Sequence, residues 1–136
     1  MNNALIIYPG FAVVFLTFLL YTKNRIEVGK AFSAKQIKGS YLKLYKDIPP
    51  DNVEISRQTL KNQFELPIIF YFLVSLLYIK GSLNQLDLIF AWIFAISRYI
   101  HAYVRLSTNY VPRRAKIFIV GLIALLAGWI NFIIGL

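Results

Sequence analysis

The sequence predicts an all-α integral membrane protein, a bundle of four spanning helices, and three observations carry that reading. Four separate stretches are long and apolar enough to cross a bilayer, whose roughly 30 Å of hydrocarbon takes about 20 residues of helix. The chain has 136 residues, of which 58% are hydrophobic and 16% aromatic, above the roughly 45–50% apolar usage of soluble domains. Its 15 Lys and Arg are segregated: nine lie between Lys23 and Lys61 and four between Arg105 and Lys116, in the segments that connect apolar runs. In a soluble chain a net charge of +9 would raise nucleic acid as a partner. Confined to two loops, it points instead to anionic lipid on one side of a membrane. A single domain over residues 1–136 follows.

Residues 4–22 open the chain with no basic residue ahead of the apolar core and no small-residue cleavage site directly after it, so they read as a span and not as a leader. Residues 57–79 form the second span, its helix expected to start near Ser56. The third covers residues 85–107 and the fourth residues 114–135. Only "KGSLNQ" separates the second from the third, a tight turn with Gly and Asn that makes those helices antiparallel neighbours. In the long loop, residues 23–55, "DIPPDN" holds Pro49 and Pro50, which stop a helix, and Asp51 or Asn52, which can cap the next. "AKQIKGSYLKLYKD" mixes Lys with Ile, Tyr and Leu and reads as an interfacial segment. By the positive-inside rule both basic loops are cytoplasmic, and both termini and the "KGSLNQ" turn lie on the opposite side. In the fourth span Ala124 and Gly128 have the spacing of a close helix contact.

Ionisable groups inside a span are costly, about 2.5–3.5 kcal/mol each on insertion scales, and so invite a functional reading. On the second span Gln58, Asn62 and Glu65 are spaced i, i+4, i+7, which places them on one helical face. On the third Arg98, His101 and Arg105 are spaced i, i+3, i+7 and share a face in the same way. Across a short antiparallel turn the two clusters fall at similar depth, with Arg114 following at the start of the fourth span. Each residue has a plainer reading: Glu65 paired with Arg98 or Lys61, Asn62 bonded to a neighbouring helix, His101 a satisfied interior histidine. Together they outline a charged pocket in which Glu65 accepts an amino group, Asn62 bonds an amide, and Arg98, Arg105 and Arg114 hold carboxylates or another anion. One His and one nearby carboxylate fall short of a metal ligand set. No Ser/His/Asp constellation and no phosphate-binding glycine loop is present. The chain has no cysteine, so a reacting thiol would have to come from a ligand.

The segments "RQTLKNQFELPIIFYF" and "SRYIHAYVRLSTNYVPRRAKIFIVG" resemble the MAPEG family, the membrane-associated proteins in eicosanoid and glutathione metabolism. The resemblance runs over nearly the whole chain. Its specific elements are Asn62-x-x-Glu65 with Pro67, and Arg98-x-x-His101 with Pro112 and Arg114 downstream. It implies a homotrimer of four-helix bundles with glutathione bound between subunits near the cytoplasmic side. Asn62 and Glu65 would be glutathione ligands, Arg98 and His101 would line the same cavity, and Arg114 would stabilise the glutathione thiolate. Arg25 resembles family arginines at the end of the first helix only loosely. Two positions depart from the family pattern: Gln58, with Arg57 beside it, where catalytic members carry arginine, and Arg105, with Tyr103 nearby, where they carry tyrosine. Arg57, Tyr103 and Arg113, adjacent to matched positions, complete the candidate set. The departures resemble a less characterised, bacterial-type branch, which implies a bacterial inner membrane.

The leading function is a glutathione-dependent transferase or peroxidase acting on lipophilic electrophiles that arrive from the bilayer. The alternative is a non-catalytic binding or structural membrane protein on the same fold, holding anionic lipid or a small anion. A small transporter is disfavoured by the lack of repeated halves and of broken helices at corresponding positions.

Overall fold

A computed structural model describes residues 1–136, and it is helical throughout, with no strand. The helices are α1 (Ile7–Ser33), α2 (Gly39–Leu44), α3 (Asp51–Lys61), α4 (Leu66–Lys80), α5 (Gln85–Leu106) and α6 (Val111–Ile134). Three helical stretches, Asn3–Ser33, Asp51–Lys80 and Val111–Ile134, are long and apolar enough to cross a membrane. At 22 residues α5 has comparable length, but Asp87, Arg98, His101 and Arg105 dilute its apolar surface, and it is not among those three.

The expected boundaries shift where polar residues continue a helix beyond the apolar run. Nothing in "TKNRIEVGKAFS" stops a helix, so α1 reaches Ser33 and the long connection shrinks to residues 34–50. Its core is small: Ile37 and Tyr41 are buried with Ala31 and Val53. The side-chain cap expected from Asp51 or Asn52 is absent; Pro50 precedes the first turn of α3 without one. Asn52 instead donates to the buried Glu27 carboxylate of α1 at 2.5 Å, and Lys23 donates to the same group at 2.7 Å. Nearby, the Ser56 hydroxyl donates to Asn24 Oδ1 at 3.1 Å, so α1 and α3 are tied by side chains as well as packing.

The single long helix expected from Ser56 onward is broken. Asn62–Phe64 forms a 3-10 turn and Glu65 is non-helical, which separates α3 from α4. Pro67 explains the position of the break. It lacks the N–H that would bond the carbonyl of Gln63, and its ring crowds that carbonyl.

The turn between α4 and α5 forms as read from the sequence. Gly81 takes the left-handed conformation (φ 76°) that ends α4. Asn84 and Asp87 then form a reciprocal capping box, Asp87 N–H to Asn84 Oδ1 at 2.9 Å and Asn84 N–H to Asp87 Oδ2 at 3.1 Å. Asn131 of α6 donates to the buried Asp87 at 2.6 Å, and Leu83 N–H donates to Asn3 at 3.2 Å, so this end of the molecule is closed by polar contacts.

Packing centres on α5, which lies most extensively on α6 and also contacts α1 and α3; against α4 its backbone contact is slight and rests on Phe70 stacked on Phe94, centroids 4.4 Å apart. The α5–α6 seam depends on small residues. Gly121, Ala124 and Gly128 are all buried on one side of α6. A Cβ at Gly121 would lie 2.4 Å from Ser97 Oγ and 3.3 Å from Ser97 Cβ. At Gly128 the close neighbour is on α4 instead: a Cβ there would lie 3.0 Å from Leu73 Cδ2 and 3.7 Å from Phe90 Cβ of α5. Gly121→Val is therefore expected to cost about 1–3 kcal/mol of stability. A lowered thermal midpoint of the purified protein in detergent would report it, and an unchanged midpoint would mean that the helices do not meet this closely.

Candidate functional site

The break between α3 and α4 shapes the site. It turns the backbone after Asn62 while leaving Gln58, Asn62 and Glu65 on one cavity, so the residues expected to share a face still converge, on a 3-10 turn in place of a continuous helix. That cavity, about 550 Å³, is also lined by Arg57, Lys61 and Arg105. A second cavity of about 400 Å³ is lined by His101, Arg114 and Phe118, and shares Asn62 and Arg105 with the first.

A polar chain runs along one wall. Glu54, one turn before Gln58, accepts from Arg57 Nη2 at 2.8 and 3.0 Å and from Gln58 Nε2 at 2.7 Å. The Gln58 Oε1 then accepts from Arg105 Nη2 across on α5. The two positions that depart from the family pattern are thus each other's partner. A neutral amide accepts the guanidinium that α5 now supplies, where two facing arginines would repel. Sequence reading missed Glu54, although "EISRQ" places an acid three and four residues before Arg57 and Gln58, the spacing of helical side-chain pairs.

The cavities differ in charge. The first has the cations Arg57, Lys61 and Arg105 and the carboxylates Glu54 and Glu65. Glu65 is exposed and forms no ion pair; the two ion pairs in the molecule are Lys23–Glu27 and Arg57–Glu54. Mixed charge suits a zwitterion. The second cavity has Arg105 and Arg114 and no carboxylate, which suits an anion. Arg114, on the first turn of α6 beside Pro112, is held by Asn109 Oδ1, which accepts from its Nη1 at 2.6 Å.

Not every candidate reaches a cavity. Arg98 is 2% exposed and lines neither; its guanidinium lies 5.7 Å from the Phe94 ring and 5.4 Å from the Phe118 ring, and its Nε and Nη2 have no protein partner. It shares the α5 face with His101, which is buried with its ring 6.1 Å from that of Phe118. Tyr103 and Arg113 are exposed and line neither cavity. Arg25 stands apart on α1, beside a third cavity.

Long apolar helices that enclose a charged cluster near one end define a membrane protein with an internal polar site. The MAPEG family model matches residues 6–134, and the chain belongs to that family. No curated protein and no solved structure matches the chain at a significant level.

The Gln58–Arg105 pair makes a prediction. Gln58→Arg alone places two guanidiniums together and lowers the thermal midpoint, whereas the double variant with Arg105→Tyr recovers it. The coupling expected for residues in contact is about 0.5–3 kcal/mol. Additive single and double variants would show that the pair is not coupled.

Proposed function

We propose that the protein is a glutathione-dependent transferase or peroxidase of the membrane, acting on lipophilic electrophiles. The observation that carries the proposal is the meeting of a mixed-charge cavity, lined by Asn62 and Glu65, with an anion-favouring cavity holding Arg114, through the shared Asn62 and Arg105. A zwitterionic thiol peptide needs both. Glu65 receives its ammonium group, Asn62 its amide, and Arg57, Lys61 and Arg105 its carboxylates. Arg114 then faces the sulfur, with His101 beside it.

The chemistry follows from the thiol. At a pKa of about 8.5 it is mostly protonated at neutral pH, and a guanidinium beside the sulfur favours the anion. In the transferase reaction the thiolate forms a bond to an electrophilic carbon whose leaving group departs with its electron pair. In the peroxidase reaction two thiols are oxidised to a disulfide while a hydroperoxide is reduced to an alcohol and water. The protein supplies no nucleophile of its own, consistent with the absence of cysteine. Family membership supports the further reading: α5 is a fourth span, three copies assemble as a homotrimer of four-helix bundles, and the basic connections face the cytoplasm with both termini on the opposite side.

Calorimetry with millimolar glutathione is expected to show binding, and an aryl halide is expected to turn over. Arg114→Ala should lower the rate by about 100-fold, as for loss of one group that stabilises a developing anion, and abolish the thiolate absorbance of the complex. No glutathione binding would replace this reading with a non-catalytic protein on the same fold. Binding with an unchanged rate in Arg114→Ala would remove that residue's role alone.

Orientation has a separate test. A cysteine at Ser82, exposed in the turn between α4 and α5, should react with an impermeant maleimide on intact cells. Labelling only after lysis would reverse the topology.

A further inference from the structure

The short helix α2 meets the site described above only through Tyr45 at its end, and it covers a further cavity that no carboxylate lines. This third cavity, about 300 Å³, lies between the end of α1, α2 and α3, and is lined by Asn24, Arg25, Tyr41, Tyr45 and Arg57 together with Val28 and Leu42. The acids on the helices that flank it are already engaged: Glu27 by Lys23 and Asn52, Glu54 by Arg57 and Gln58.

Its polar groups are donors. Arg25 is exposed and in no ion pair. Arg57 uses only Nη2 on Glu54, leaving Nε and Nη1 for other partners. Asn24 has its oxygen occupied by Ser56, so its amide hydrogens are what it can offer. Tyr41 is the most telling of the set. The residue is 2% exposed, yet its buried hydroxyl has no hydrogen-bond partner. An orphaned buried hydroxyl costs about 1–3 kcal/mol, and native structures rarely leave one without a ligand or water. Burial also pushes the phenol above its ordinary value of 10.0, so it remains a proton donor at neutral pH.

The surroundings point to where such a ligand comes from. Leu42, Leu44 and Ile48 stand 46%, 57% and 95% exposed on the same connection, which carries the pocket of donors at the end of two membrane-length helical stretches. That pairing of exposed apolar side chains and a cationic pocket matches a lipid with an anionic headgroup.

We infer that the cavity between α1, α2 and α3 binds a phosphate group at the membrane surface, held by Arg25, Asn24, the Tyr41 hydroxyl and the free N–H groups of Arg57. A phosphodiester of an anionic phospholipid and free inorganic phosphate share this chemistry. The site shares Arg57 and Tyr45 with the first cavity but uses none of Asn62, Glu65 or Arg114, so its test does not depend on the glutathione reading.

The test uses the full chain, purified in detergent. Dioleoyl phosphatidylglycerol and, separately, inorganic phosphate are titrated, with native mass spectrometry and thermal midpoint as readouts; dioleoyl phosphatidylcholine is the zwitterionic control. One phosphatidylglycerol is expected to bind in preference to phosphatidylcholine. Tyr41→Phe, which keeps the ring in its apolar contacts, and Arg25→Gln, on an exposed side chain, should each weaken it by about tenfold, as expected for loss of a hydrogen bond to a charged group. If inorganic phosphate binds with the same dependence on both residues and phosphatidylglycerol does not, the ligand is the free anion. Binding of neither probe, or a change below twofold in both variants, would overturn the proposal.

Discussion

The stripe of Arg98, His101 and Arg105 along one face of α5 sets the terms for the rest of the molecule. Arg98 and His101 are buried and Arg105 is half-buried, and charged or polar groups taken out of water must be enclosed by protein partners or by a polar cavity. The other helices satisfy that need in different ways. The face of α6 with Gly121, Ala124 and Gly128 brings α6 close enough for Phe118 to cover Arg98 and His101. On α1, the Ala12 carbonyl accepts from Tyr99, one residue from the stripe, at 2.7 Å. At the end of the stripe, α3 supplies Gln58 to Arg105. A helix too polar to face lipid becomes the element around which the apolar ones are arranged.

The proline after Glu65 has a related effect. A continuous helix through this region would direct successive residues around a cylinder at 100° intervals. The interruption instead lets Gln63 turn inward, buried beside Thr17, while Asn62, Phe64 and Glu65 remain on the polar cavity.

Much of this was legible in the sequence because it rests on local chemistry. Apolar runs of membrane length, Gly81 and Asn84 at a tight turn, and charged residues at helical spacing each carry their meaning within a few residues. Family resemblance over the matched motifs added what spacing cannot give, namely a ligand class. What escaped depends on partners distant in sequence. Polar residues after Tyr21 end the apolar run but not the helix, so its extension to Ser33 was hidden. Asn52 is a good capping residue by type, but a buried carboxylate 25 positions earlier takes its amide. Arg98 shares a face with His101 and Arg105, but whether it meets the cavity is decided by an aromatic ring from α6. The Gln58–Arg105 bond, two apparent departures that answer each other, is visible only when α3 and α5 are seen side by side.

Tyr45 ends α2 in the left-handed conformation (φ 52°), with its ring 5.0 Å from the Arg57 guanidinium. Together these two residues form a party wall: both line the large polar cavity and both line the smaller one toward α1. Arg57 has five N–H donors to divide between the two sides. A group that draws the guanidinium toward one cavity withdraws it from the other, so occupants of the two cavities would be coupled through it. Thermodynamic linkage then fixes the consequence: whatever factor an occupant of one side imposes on the affinity of the other is returned unchanged in the opposite direction.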